Sequence, residues 1–332
     1  QIFAWIMCGI IIVLTGMAAY EDSENTAHLA AVDEAHFQAE RVMEIAGDPK
    51  QMIPTDGAVT ILPNDPLAQG PKIFAKNCAG CHHFDGLNGQ GDKVMETVDG
   101  KEIEAKPVAA DLGNFGSREW MKAVLTNYPK HFAPLKNADW YQDIKKKEEA
   151  GDEVGEYLQV DEGDMASWMS DYGEDLLESD KQAIDALAED FFSKAVETDE
   201  KSRQFEAPKY DKALAKKGEG LLADASCMDC HGDGGAPDLT GYGSAKWLRQ
   251  FIDNPGADEF YGEKNQMPAY HGKLSEHEMD MLVRWMTGDY FPTKLNTEEL
   301  AKMGAQQPAY AGPKEEPKSE TETKEEEKTE EE

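Results

Sequence analysis

The chain has 332 residues, 66 acidic against 33 basic, for a formal net charge of −33. Repulsion on that scale excludes nucleic acid as a partner, because phosphate binding depends on clustered Lys and Arg. Two uses of the acidity remain: it keeps the protein soluble, or it steers a basic partner to the surface.

Residues 2–19 contain no charged side chain. Roughly 20 apolar residues span a bilayer, so a transmembrane helix is predicted over residues 1–20. The segment lacks the basic start of a secretory signal; Gly16-Met17-Ala18 as a weak cleavage site keeps a signal peptide as the alternative. It also reads as the last helix of a longer polytopic chain. Glu21-Asp22-Ser23-Glu24 follows it, and positive residues prefer the cytoplasmic side, so everything after this helix is expected on the extracytoplasmic (periplasmic) side of the cell membrane. Cys8 reads as an apolar filler within the helix. Residues 21–65 read as a linker, with a short exposed helix from Glu34 to Glu44 and an extended stretch punctuated by Pro54, Pro63 and Pro66.

One pentapeptide pattern occurs twice, as Cys78-Ala79-Gly80-Cys81-His82 and Cys227-Met228-Asp229-Cys230-His231. Cys-x-x-Cys-His is the attachment signature of c-type haem. Two cysteines three apart occupy one helical turn, within reach of both vinyl arms of a porphyrin, and the adjacent imidazole faces the iron. A zinc ribbon uses pairs about 15–20 residues apart, whereas these lie most of the chain apart. A thioredoxin-type pair would need one motif in a βαβ context. Neither explains the histidine in both copies. Two haem c groups are predicted, held by Cys78, Cys81 and His82 and by Cys227, Cys230 and His231.

A repeat continues beyond each motif. Ala109-Ala110-Asp111-Leu112 and Phe115-Gly116-Ser117 through Trp120 match Ala236-Pro237-Asp238-Leu239 and Tyr242-Gly243-Ser244 through Trp247. A methionine then precedes a capped helix in each copy: Met165 before Ser179-x-x-Gln182, and Met267 before Ser275-x-x-Glu278. Apolar faces follow at helical spacing, Ile184, Leu187 and Phe191 in one, Leu282, Trp285 and Met286 in the other. The first copy carries two insertions, one Gly- and Lys/Glu-rich before Leu112, one charged around Trp140 to Tyr157 and expected to hold a short helix.

This layout resembles the class I cytochrome c family over about residues 66–196 and 209–290. The resemblance implies a mainly α fold: a first haem domain with insertions over 66–200 and a second over 209–292. Leu67 to Lys76 and Lys212 to Leu222 would be the helices leading into the motifs, each closed by a C-terminal helix packed across it. It implies iron ligation by His82 with Met165 and by His231 with Met267. Met169, Met121, Met95 and His131 compete with Met165, which lacks the following proline. His83 is expected at the surface. Trp120, Trp247, Phe115, Tyr242, Trp168 and Tyr270 are expected pocket walls. The Pro237 carbonyl should accept a hydrogen bond from His231; in the first copy Pro107 is the expected substitute. Filled axial positions imply electron transfer rather than oxygen or peroxide chemistry, and a methionine ligand raises the reduction potential.

Residues 293–332 form an extension and tail. The last twenty hold ten Glu and four Lys and are expected to be disordered. The acidic stretch after the apolar helix, Ile53-Pro54-Thr55-Asp56-Gly57-Ala58 and Asn64-Asp65-Pro66 are similar to junctions where a cytochrome b C-terminal helix runs on into a dihaem cytochrome c. That implies a subunit of a quinol:cytochrome c oxidoreductase (bc-type) complex, with cytochrome b and Rieske-type subunits and a soluble, basic electron carrier as partners. The alternatives are the dihaem subunit of a cbb-type terminal oxidase, a dihaem redox enzyme such as a peroxidase or a thiosulfate-oxidising cytochrome, and a haem-based sensor, for which the sequence offers no output domain.

Overall fold

In a computed structural model, the described residues are 1–49, 51, 53–173, 175–176, 180, 182–198, 210–231, 236–291 and 293–294. The charge-free segment is one helix, α1 (Ile2–Glu24), with no side chain buried by the rest of the chain. It is long and apolar enough to cross a membrane. It ends at Asn25, whose side chain accepts the His28 N–H at 3.0 Å and caps α2 (Thr26–Gly47).

The expected short exposed helix is the middle of α2, and it is docked rather than exposed. Arg41 is fully buried and donates to both carboxylate oxygens of Asp65, at 2.7 and 2.8 Å, and to the Phe291 carbonyl at 2.7 Å. Three residues on, Glu44 accepts the Thr293 hydroxyl and the Lys294 N–H. A guanidinium carries five donors in a planar fork, so burying it requires several acceptors at once, and these come from two distant segments. The linker is therefore held at both ends of the helical core that follows.

Short 3₁₀ turns at Ala58–Thr60 and Leu62–Asn64 lead to α3 (Pro66–Asn77), with proline in its first turn. The Gly- and Lys/Glu-rich insertion is an exposed hairpin, β1 (Met95–Val98) antiparallel to β2 (Lys101–Glu104), paired Val98↔Lys101 at the turn. Asp99 and Gly100 both take positive φ there, +51° and +74°, as a tight two-residue turn requires. Then come α4 (Arg118–Thr126), α5 (Tyr128–His131), α6 (Asp139–Glu149) in the second insertion, α7 (Asp164–Trp168), a π-helical turn (Met169–Gly173) and α8 (Ala183–Thr198). The second copy supplies α9 (Lys212–Asp224), α10 (Cys227–His231), α11 (Ala245–Asp253) and α12 (Glu276–Met286). The capping box at Ser275 and Glu278 is present with both hydrogen bonds; Ser179 of the other expected box lies outside the described residues, as does the acidic tail.

The helices do not pack copy by copy. The leading helix α3 crosses α12, and α9 crosses α8. Leu67, Phe74 and Phe84 share a core with Trp247, Leu248 and Ile252 of α11 and Leu282 and Trp285 of α12. A second core joins Trp120, Met121 and Leu125 of α4 to Ile184, Leu187 and Phe191 of α8 and Leu222 of α9. Each crossing closes on a glycine. A Cβ on Gly70 would lie 2.2 Å from the Trp285 Cβ, and one on Gly218 would lie 2.0 Å from the Ala186 carbonyl oxygen. Sequence order leads one to expect α3 under α8 and α9 under α12; each packing unit instead draws on both copies of the repeat.

Removing one partner of a buried, hydrogen-bonded ion pair leaves an uncompensated charge, a loss of about 3–5 kcal/mol. Arg41→Ala should lower stability by that order in thermal or denaturant unfolding. Arg41→Met combined with Asp65→Asn should recover part of the loss, because no lone charge is then left buried.

Candidate functional site: a histidine-lined apolar cavity

Both motifs are single helical turns. In the first, the N–H groups of Cys81 and His82 bond the Cys78 carbonyl at 3.0 and 2.9 Å; in the second the turn is α10 itself. None of the five cysteines is in a disulfide. Burial, then the nearby Cys81, pushes the Cys78 thiol up to about 12, and burial also raises Cys227.

The two histidines are held alike. His82 Nδ1 lies 2.8 Å from the Ala110 carbonyl and His231 Nδ1 lies 2.8 Å from the Pro237 carbonyl. A carbonyl only accepts, so Nδ1 carries the proton and Nε2 presents its lone pair. Burial lowers the pKa of both imidazoles despite these bonds and the nearby Asp111 and Asp238, which favours the neutral ligand form. The first histidine's acceptor is thus Ala110 itself, not Pro107, whose carbonyl is taken by the Asn137 side chain at 2.9 Å. Ala110 and Pro237 are equivalent positions of the repeat, and a backbone carbonyl does not depend on the side chain that follows it. His83 is buried, at 7% exposure, rather than at the surface. Its carbonyl accepts the Leu112 N–H at 2.8 Å, which draws this stretch in against the returning chain.

A cavity of about 240 Å³ opens beside the first motif. Cys78, Cys81 and His82 line it, with Phe74, Leu112 and Leu282 among its apolar walls. Five expected wall aromatics line it too: Phe115, Trp120, Tyr242, Trp247 and Tyr270. Met267 and Pro268 share this lining, so Met267 stands with His82; His231 does not line the cavity. Tyr270 explains the placement: its hydroxyl donates to the Asn77 carbonyl, next to Cys78, at 2.6 Å. Trp140 of the second insertion and Phe132, Leu135 and Leu158 on either side of it also line the cavity. Sequence reading missed them, although an apolar residue such as Trp140 within a charged insertion was the available signal.

Around the second motif, Met165 of α7 and Cys227 pack against the same apolar cluster. Trp168, the sixth expected wall aromatic, is absent from the first cavity's lining. Its indole donates to the Ala225 carbonyl, two residues before Cys227, at 2.9 Å. Residues 232–235 of the second motif's loop lie outside the described residues. Of the competing ligands, Met95 is exposed on β1 and Met121 is buried within the second core. His131 stands edge-on to Trp120, 4.3 Å between ring centres, and its buried Nε2 has no hydrogen-bond partner among the described residues.

Residues 213–286 match the family model described as cytochrome c oxidase, cbb3-type, subunit III. The chain carries a c-type cytochrome domain. A domain of this type binds haem c covalently, and a tethered haem supplies one-electron exchange. No curated protein and no solved structure matches the chain. The side chains fit the group. Each motif offers two thiols on one turn and an imidazole oriented by a carbonyl, and the first opens on a mostly apolar cavity with a thioether in its wall.

The second core has an electrostatic clamp. Glu189 on α8 accepts the Arg118 guanidinium of α4 through both oxygens and the Asp211 N–H that precedes α9. Burial would raise its carboxyl, but the Arg118 and Asp211 hydrogen bonds prevail and hold it below the ordinary range. A lowered folded-state pKa means stability that is complete above the ordinary glutamate pKa of about 4.3 and is lost as pH falls below it. Glu189→Gln should therefore flatten the acid limb of the stability–pH profile in pH-scanned thermal unfolding, with wild type and variant converging in acid.

Proposed function

We propose that this chain passes electrons through two covalently bound haem c groups as the membrane-anchored dihaem subunit of a bc-type quinol:cytochrome c oxidoreductase. The observation that carries the two-haem reading is the twin geometry of the motifs: each histidine donates from Nδ1 to the equivalent carbonyl of the repeat, at the same distance. His82 and His231 are the proximal ligands, and Met165 and Met267 the distal ones. The chain's own work is to hold each imidazole in one tautomer, keep water from the ring faces and bring the two sites together. Phe115, Trp120, Tyr242 and Trp247 form one aromatic group where the units meet, with Phe115 and Tyr242 ring centres 5.6 Å apart. Burial raises the Tyr242 hydroxyl above its ordinary pKa, so it stays neutral there.

Several features support anchoring and complex membership. The apolar α1 runs through Asn25 into α2, and the segment from α1 to Pro66 resembles the junction between cytochrome b and a dihaem cytochrome c. Anchored this way, the haem units lie on the periplasmic side, with cytochrome b and Rieske-type subunits as neighbours and a basic soluble carrier drawn to the acidic surface. The printed name of the matching family supports the second reading, a dihaem subunit of a cbb-type oxidase. A dihaem peroxidase would need an open axial position.

Intact-mass analysis of the matured chain should show two added haems, falling to one in Cys78→Ala/Cys81→Ala and in Cys227→Ala/Cys230→Ala. A bare chain, or one haem in the unmodified protein, overturns the two-haem reading. Purification from membranes should bring down a cytochrome b and a Rieske iron–sulfur protein; recovery with a haem–copper subunit instead selects the oxidase reading.

A further inference from the structure

We infer that the iron ligands are exchanged between the two copies of the repeat: the haem tethered at Cys78 and Cys81 is ligated by His82 and Met267, and the haem at Cys227 and Cys230 by His231 and Met165. This rests on the two-haem reading and goes beyond it, because sequence order pairs each histidine with the methionine of its own copy.

Four observations converge. First, Met267 and His82 line one cavity, together with both cysteines of the first motif. Second, each methionine region is fastened to the opposite motif by the aromatic three residues on. Tyr270, after Met267, bonds the carbonyl of Asn77, before Cys78; Trp168, after Met165, bonds the carbonyl of Ala225, before Cys227. The two bonds correspond closely, their acceptors lying one residue before the first motif and two before the second. Third, the covering helices follow the methionines. α12, after Met267, lies across α3, which leads into the first motif, and α8, after Met165, lies across α9, which leads into the second. Fourth, the chain crosses over where exchange demands it. Gly116 and Gly243 are equivalent positions between the proximal-histidine segment and the methionine segment of each copy. A Cβ on either would come within 2.8 and 2.9 Å of the other's Cα. Their φ values are +72° and +79°. Equivalent residues meeting each other are the mark of a twofold contact. The two copies therefore pass each other at these glycines, and each sends its methionine half to the other's histidine half.

The consequence is chemical. Each iron has one ligand from before the crossing and one from after it, on opposite copies. Oxidation or ligand loss at one haem then acts on a segment that belongs in sequence to the other motif. A site with both ligands from one copy has no such covalent route.

Single-haem proteins separate the possibilities. Cys227→Ala/Cys230→Ala retains the first haem, and Cys78→Ala/Cys81→Ala retains the second. Met267→Ala should abolish the thioether-to-iron charge-transfer band, and turn no carbon monoxide binding into stoichiometric binding by the ferrous form, in the first protein and not in the second. Met165→Ala should do so only in the second. If Met267→Ala acts on the second haem, or Met165→Ala on the first, the exchange is wrong although the haems are present. Absence of haem from the unmodified chain would instead sink the underlying reading. If the second haem shows no thioether band in the unmodified sequence, and gains carbon monoxide binding in His131→Ala but not in Met165→Ala, the His131 imidazole is the ligand and the exchange fails at that site. Should the single-haem chains not fold, the unmodified protein labelled with ¹³C-methyl methionine settles the matter. In the ferrous state the Met267 methyl should show nuclear Overhauser contacts to the haem bearing the Cys78 thioether; contacts to the haem bearing Cys227 overturn the proposal.

Discussion

Two glycines, Gly116 and Gly243, touch backbone to backbone, and the arrangement of everything downstream depends on that contact. Neither position tolerates a Cβ, because the opposing Cα lies where it would go, and both backbones are in the left-handed region that glycine occupies without strain. The turn before each is stereotyped. Asn114 and Gly241, equivalent in the repeat, also take positive φ, +58° and +68°. Just beyond, Ser117 and Ser244 accept the N–H of Trp120 and Trp247 at the same 3.1 Å and start α4 and α11. The aromatics at the crossing then meet across it as well as within each copy, with Phe115 stacked over Trp247 and edge-on to Trp120. Local chemistry at one short loop, made twice, fixes the directions in which both methionine segments leave.

Much of the helical layout was legible from residue pattern. The capped α12 lies where its capping box and period place it, the leading helices where the resemblance to cytochrome c places them, and the second insertion holds its expected helix. The carbonyl partner of His231 was legible too, because proline marks it. What pattern could not give is which helix closes on which. α8 and α12 both present an apolar face, and α3 and α9 both present a face with a central glycine, so amphipathicity says that each is buried but not against which copy. Ala110 was missed for a related reason: an accepting carbonyl leaves no side-chain signature. Arg41 reads as a solvent charge until the Asp65 and Phe291 acceptors are assembled around it from distant segments.

The family match runs without a break over residues 213–286, from α9 to α12, yet in space α9 lies with α8 and α12 with α3. Linear order and spatial pairing have come apart. The energetics of a duplicated unit make this inexpensive. When two similar units exchange equivalent halves, each core keeps nearly the same kinds of contact, and only the crossing segments change. The balance then rests on those segments and on differences between the copies. Here the copies do differ at the crossings: Gly70 seats the Trp285 ring, whereas Gly218 lies against the Ala186 carbonyl and the buried Asp190 side chain, a narrower surface. Swapping the closing helices back would set the indole against Gly218 and the smaller α8 face against Gly70, overpacking one crossing and leaving a void at the other, and both errors are destabilising.

The same reasoning bears on how the first unit sits relative to α1. A flexible linker of some forty residues would let the first unit sample roughly 35 Å about the end of α1. The chain does not use one. Only Asn25 separates α1 from α2, and α2 runs unbroken to Arg41, roughly 24 Å along its axis at about 1.5 Å per residue. There it is clamped to Asp65 at the start of α3 and to Phe291 just after α12, the two helices that close over the first motif. Lys72 on α3 adds a pair with Glu34, about two turns before Arg41, at 2.7 Å. The buried guanidinium resists separation far more than that exposed pair does. The one break in helical continuity, at Asn25, is where any change of angle between α1 and the first unit has to occur. The reach of that unit is accordingly set by the length of a helix and one hinge residue, not by the entropy of a tether.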